Sequence, residues 1–139
     1  MLELKEDIKS QIIKHAINEL PNEACGLFSA PRDSCTIDSF YPMQNIAKSA
    51  IIYQLDPLEM MKVEATADAR GTQIIGVMHS HTHTHAYPSP TDVRDATEFD
   101  PLGTWHYLIV SLQEQEPVIR SFRIKNEMIT EEEISFRSS

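Results

Sequence analysis

Between residues 5 and 20, apolar side chains recur at Ile8, Ile12, Ile13, Ala16, Ile17 and Leu20, with Lys5, Asp7, Lys14 and Asn18 between them. A repeat of three to four residues predicts a helix with one buried face, and Pro21 stops it because proline cannot extend the hydrogen-bond ladder. The pattern then shortens. Cys25 to Ser29 reads as a buried strand, Pro31-Arg32-Asp33-Ser34 as a turn, and Thr36 to Tyr41, with Ile37 and Phe40 among polar neighbours, as a second strand. A further strand is expected over Ala50 to Leu55.

Asp56-Pro57 has the form of a helix start, a capping carboxylate followed by proline in the first turn. Leu58, Met61, Val63 and Ala65 are its expected core side, up to Gly71. Thr72 to His81 is the longest strand pattern, and Ser89-Pro90-Thr91-Asp92 opens another helix running to Glu98. Trp105 to Leu112, Pro117 to Ile124 and Met128 to Glu131 complete the series as strands. Helices and strands mix without strict alternation, so the expected class is α/β (α+β), a curved mixed sheet with helices packed on it. With 139 residues and no repeat or linker, residues 1–139 are read as one domain.

Charge narrows the partners. Twelve Lys plus Arg against 21 Asp plus Glu give a formal charge of −9, which opposes a phosphate backbone, so no nucleic-acid partner is expected. Glu131-Glu132-Glu133 reads as a solvated face. The start of the chain lacks a signal-peptide pattern and no window has bilayer length, so the expected location is cytoplasmic, without a membrane. Cys25 and Cys35 are too few for a disulfide framework and read as small residues in or near a core.

The chemistry concentrates in His79-Ser80-His81-Thr82-His83-Thr84-His85, where four of the six histidines fall. An affinity tag is excluded by the mid-chain position and the strand-like lead-in. In a strand, residues two apart project from one face, so His79 and His81 converge while Ser80 turns away. Asp92, in the first turn of the next helix, can return over the strand end as a third ligand, and two imidazoles with a carboxylate suit zinc. The spacing alone leaves alternatives open. Ser89-Pro90-Thr91-Asp92 is equally a capping box, and an H-x-H pair on a strand equally serves ordinary hydrogen bonding.

His79-Ser80-His81, seven residues, then Ser89-Pro90-Thr91-Asp92 resembles the H-S-H-x7-S-x-x-D signature of the JAMM (JAB1/MPN-domain) metalloproteases. Pro21-Asn22-Glu23-Ala24-Cys25-Gly26-Leu27 resembles the family's P-x-E-x-C-G-L stretch, and Asn45-Ile46-Ala47-Lys48-Ser49 followed by Asp56-Pro57 resembles its bacterial branch; the likeness spans roughly residues 5–125. It implies a JAB1/MPN-like fold and one zinc per chain, held by His79, His81 and Asp92, with a fourth position for water, which zinc acidifies. It also implies that Glu23 is the general base and proton shuttle and that Ser89 donates to the oxyanion. Strand geometry turns Ser80 away from the metal, where it can orient neighbouring groups, and a strand ending near Thr82 puts His83 and His85 on a loop at the site rim. The Mec-type subgroup is nearest, implying release of cysteine from the C-terminus of a ubiquitin-like sulfur-carrier protein. Thr82 stands where deubiquitinating members usually have proline, which argues against polyubiquitin cleavage. Two rivals predict otherwise: a non-catalytic MPN-type scaffold with lost ligands, and a metal-binding module that takes several ions and tolerates Glu23→Ala.

Overall fold

The computed structural model of the chain describes residues 1–138. In chain order the elements are β1 (Leu2–Lys5), α1 (Glu6–Asn18), β2 (Cys25–Pro31), β3 (Ser39–Met43), α2 (Pro57–Ala69), β4 (Thr72–His81), α3 (Pro90–Phe99), β5 (His106–Ser111), β6 (Val118–Lys125), β7 (Met128–Glu132) and β8 (Ile134–Arg137). Six strands form one sheet in the order β3-β2-β4-β5-β6-β7, and β1 pairs with β8 in a second, two-stranded sheet. All neighbours in the large sheet are antiparallel except β4 and β5, which run parallel. A parallel pair needs a crossover, and here the crossover carries α3.

Alternation along the strands separates two cores. Phe28, Met78, Leu108 and Val110 face α1 and β1, whose Ile8, Ile12, Ala16, Leu2 and Leu4 complete that side. Cys25, Leu27, Val77, Tyr107, Ile109 and Phe122 face the other way, where Met60 and Val63 of α2 and Val93 and Ala96 of α3 pack on them. The result is a mixed α/β arrangement with helices on both faces of the main sheet. Each fully buried aliphatic or phenyl side chain contributes about 1.5–3 kcal/mol, so neither face is dispensable. Among the described residues no helix is long and apolar enough to cross a membrane.

Several expectations need correction. Ala50 to Leu55 is a loop rather than a strand, because its backbone bonds to the side chains of Asn45 and Ser49 instead of to a neighbouring strand. The stretch expected as a strand over Thr36 to Tyr41 is divided: Thr36 bridges to Glu3 of β1, and the strand proper starts at Ser39 and continues to Met43 on the sheet edge, where Pro42 is tolerated. On α2, Leu58 and Met61 are exposed and the inward side is Met60, Val63 and Ala67. On α1, Ile17 and Leu20 are also exposed. Glu132 is not a solvated residue: it accepts hydrogen bonds from Ser121 Oγ at 2.7 Å and pairs with His106 Nδ1 at 2.6 Å. The short strands β1 and β8 carry no pattern of their own in the sequence; they pair with each other, and Leu2 and Leu4 are buried there.

Candidate active site

Strand register assembles one wall of the site. In the antiparallel pair β2–β4, Cys25 lies opposite His79. Continued by two residues, the same register sets Glu23 level with His81. Residues directly opposed in such a pair share a face, so Glu23, Cys25, His79 and His81 project together. Ser80 points the other way and holds the junction, its Oγ accepting from Ala24 N at 2.7 Å and its N donating to Ala24 O at 3.0 Å. The hydroxyl thus fixes the residue that follows Glu23.

The opposite wall comes from the crossover. β4 ends at His81, and the loop behind it is tied down by Ser111 Oγ donating to Thr84 O at 2.6 Å and by Thr82 Oγ1 donating to Ala50 O at 3.0 Å. α3 then starts with a capping box: Ser89 Oγ accepts from Asp92 N at 3.1 Å, and Ser89 N donates to Asp92 Oδ2 at 2.9 Å. The cap aims the Asp92 carboxylate back over the strand end, so a cap and an inward-facing ligand group are one arrangement rather than alternatives.

Asp92 Oδ2 lies 3.1 Å from both His79 Nε2 and His81 Nε2, which are themselves 3.1 Å apart. Donor atoms at bond lengths of about 2.0–2.1 Å around a tetrahedral ion stand roughly 3.3 Å from one another, so this triangle has the size zinc requires. The chemistry also fits. His81 Nδ1 donates to the His85 carbonyl at 2.9 Å, which leaves the lone pair of the neutral ring on Nε2. Three acceptor-capable atoms converging in a buried place form a group that could hold a metal ion.

Charge in the site follows from burial and proximity. Burial would raise the Asp92 pKa, but His79, His81 and the Ser89 amide outweigh it and hold the carboxyl well below its usual range. Burial likewise opposes charge on His81, yet Asp92 and the His85 carbonyl raise its pKa overall. Glu23 is 4% exposed, and its Oε1 has no hydrogen-bond partner among the described residues. Burial pushes its pKa up to about 7, against the lowering effect of His79 and His81. Cys25, beside it, is pushed up to about 12 by burial, so it remains a thiol and packs rather than attacks.

Glu23, His79, His81, Ser89 and Asp92 therefore meet at one place. His83 and His85 are exposed in the loop, where His85 supplies its carbonyl to His81 and stacks on Tyr87. Two neighbours escaped the sequence reading. Tyr53 stacks on the His79 ring, with centroids 4.4 Å apart. Asn45 is buried and bonds to the carbonyl of Glu23. Both lie in a stretch read as motif or strand, and no periodicity marks a loop folded around an amide. Beyond Tyr53, an apolar cavity of about 460 Å³ opens between α2 and α3, lined by Leu55, Met60, Val77, Phe99 and Trp105.

Comparison with known proteins places these features. Residues 5–125 match the family described as prokaryotic homologs of the JAB domain. The CysO-cysteine peptidase of Mycobacterium bovis is 37% identical over 137 residues, covering 97% of this chain and 90% of the relative. The solution structure of protein DSY2949 from Desulfitobacterium hafniense superposes with a TM-score of 0.90 at 37% identity, covering 100% of this chain and 94% of that one. The crystal structure of AF2198, a JAB1/MPN domain protein from Archaeoglobus fulgidus, has the same fold, with a TM-score of 0.63 at 17% identity over 97% of this chain and 98% of that one.

Proposed function

Since the chain belongs to the family of prokaryotic homologs of the JAB domain and is 37% identical to a relative named as a CysO-cysteine peptidase, we propose that it is a zinc-dependent peptidase acting at the C-terminus of a ubiquitin-like sulfur-carrier protein, from which it releases cysteine. The observation that carries this reading is the triangle of His79 Nε2, His81 Nε2 and Asp92 Oδ2 together with the buried Glu23 carboxyl, whose Oε1 has no hydrogen-bond partner among the described residues. The named activity of the mycobacterial relative, aligned over 97% of this chain, supports the substrate class.

His79, His81 and Asp92 would hold one zinc ion, which when bound supplies Lewis acidity that polarises a carbonyl and makes water a better nucleophile at neutral pH. Glu23 takes the proton of the attacking water and delivers it to the nitrogen of the departing amine. A carboxylate held this close to the reacting atoms can accept that proton and return it within one turnover. Ser89 accepts from the Asp92 amide, so its own hydroxyl proton is free to donate to the oxyanion of the substrate. The capping role and the donor role use different parts of one hydroxyl. The reading takes residues 1–139 as one domain and sets the reaction in the cytoplasm, in keeping with two free cysteines.

The test is mass spectrometry of a purified carrier–cysteine adduct incubated with the wild type, with Glu23→Ala and with chelator-treated protein. The wild type is expected to shorten the adduct by one cysteine. Glu23→Ala keeps one zinc per chain and loses turnover by several orders of magnitude, while chelated protein is inactive until zinc is restored. Equal cleavage in all three samples overturns the proposal.

A further inference from the structure

The segment expected as a strand but found as a loop is organised around a single side chain. Asn45 is 4% exposed, and its amide is saturated. Oδ1 accepts from Ala47 N and Gln54 N, each at 3.0 Å. Nδ2 donates to Glu23 O and Ile52 O, each at 3.0 Å, with Ser49 O at 3.5 Å. The amide orientation follows from its surroundings, two N–H donors on one side and carbonyls on the other.

The loop so folded touches the site at three points. Ser49 O accepts from Glu23 N at 2.8 Å, so both backbone polar groups of Glu23 bond to residues 45–49 rather than to a strand. Ala50 O accepts from Thr82 Oγ1, one residue past His81. Tyr53 lies on the His79 ring at 4.4 Å between centroids. Glu23 stands just outside β2, so among the described residues its backbone N–H and carbonyl are held by this loop rather than by a strand ladder.

We propose that Asn45 is a positioning residue of the active site, whose one amide folds the 45–54 loop so that it clamps the backbone of Glu23 and lays Tyr53 against His79. The kinetic part of this rests on Glu23 and His79 having the roles given above; the geometric part does not. Aspartate at this position sets a carboxylate oxygen against the carbonyls of Glu23 and Ile52, whereas asparagine donates to them, so Asn45→Asp tests the amide with almost no change of volume.

Three readings are taken on Asn45→Asp, on the milder Ser49→Ala, and on Ile12→Ala, a packing change in the opposite core that serves as a stability control. These are amide exchange at Glu23 and Gln54 in metal-free protein, the visible absorption spectrum of the one-to-one Co2+ complex, and kcat and KM on the carrier adduct. In Asn45→Asp, exchange at both amides is expected to quicken at least tenfold relative to amides of α1, the cobalt bands to shift, and kcat to fall at least tenfold with KM within twofold. Ser49→Ala moves the same readings in the same direction by a smaller factor, which keeps the test open should Asn45→Asp fail to fold. Ile12→Ala lowers stability with spectrum and kcat unchanged. A wild-type spectrum and wild-type amide protection in the loop variants overturn the proposal, as does a kcat loss matched by Ile12→Ala. If the wild type itself cleaves no adduct, the peptidase reading fails, while exchange and spectrum still decide on Asn45.

Discussion

Glu23 and Asp92 are carboxyls in one site whose proton affinities are displaced in opposite directions, and the signs separate in pH. Glu23 holds its proton up to about 7 in the fold, against a reference value of 4.5. Between those values the folded protein binds more protons than the unfolded chain, so metal-free protein loses stability as pH rises across that window. Asp92 is depressed below 3.8, so its contribution is present above that value and lost as pH falls below it. His81, raised above 6.5, adds stability at lower pH that disappears as pH climbs through its folded value, a slope of the same sign as that of Glu23. Urea midpoints of metal-free wild type and Glu23→Gln over pH 4.5–7 separate the two groups, since the glutamine retains His81 and Asp92 but removes the desolvated carboxyl. The expected result is a flatter profile for Glu23→Gln, with its largest gain over wild type at the neutral end. Parallel profiles would mean that the Glu23 carboxyl is solvated.

Strand β4 is the element on which everything else is registered, and its midpoint tolerates no side chain. A Cβ on Gly76 would stand 2.2 Å from the His106 carbonyl oxygen and 2.4 Å from Phe28 Cζ. Gly76→Ala forces β4 from β5 or displaces a fully buried phenyl ring, an overpacking cost of about 1–3 kcal/mol or more. Its thermal midpoint is therefore expected to fall by several degrees and, since His79 lies three residues along the same strand, zinc affinity to fall with it. An unchanged midpoint would show that the β4–β5 contact has slack. The same strand explains what could be read in advance. β4 and α3 are long, periodic and capped, so the i,i+2 pair His79 and His81 and the Ser89–Asp92 cap followed from local rules. Glu23 was legible only through its resemblance to a known stretch, because no local rule says that residues two before a strand will meet histidines more than fifty positions later. Strands β1 and β8, four residues each at opposite ends of the chain, signal nothing until they pair. Asn45 stood out only within a stretch resembling the family, and its role did not, since an asparagine that satisfies five backbone groups looks in sequence like any polar loop residue.

Across the whole molecule, the site sits on one face of the main sheet, at the end of β4 where the crossover to β5 departs, a position that open sheets with parallel strands repeatedly use for ligands. The groups proposed to hold the metal, His79, His81 and Asp92, bridge the two ends of that departure, β4 and the first turn of α3, while α1 and the β1–β8 pair belong to the core behind the sheet. Zinc binding should therefore stabilise the fold unevenly. A ligand that binds only the folded state at a hundred times its dissociation constant adds about 2.7 kcal/mol, which for a chain of this size raises the thermal midpoint by on the order of 10 °C. Local opening of the loop and α3 start is slowed by the same tie, whereas α1, which packs in the core on the other face of the sheet, is slowed mainly through global unfolding. Hydrogen exchange with and without zinc reads both effects: protection is expected to rise most over residues 80–93 and least over α1, with the midpoint shift abolished in Asp92→Ala. A uniform rise across both cores would make the molecule one cooperative unit even for small openings, and a midpoint shift surviving in Asp92→Ala would remove that carboxylate from the ligand set.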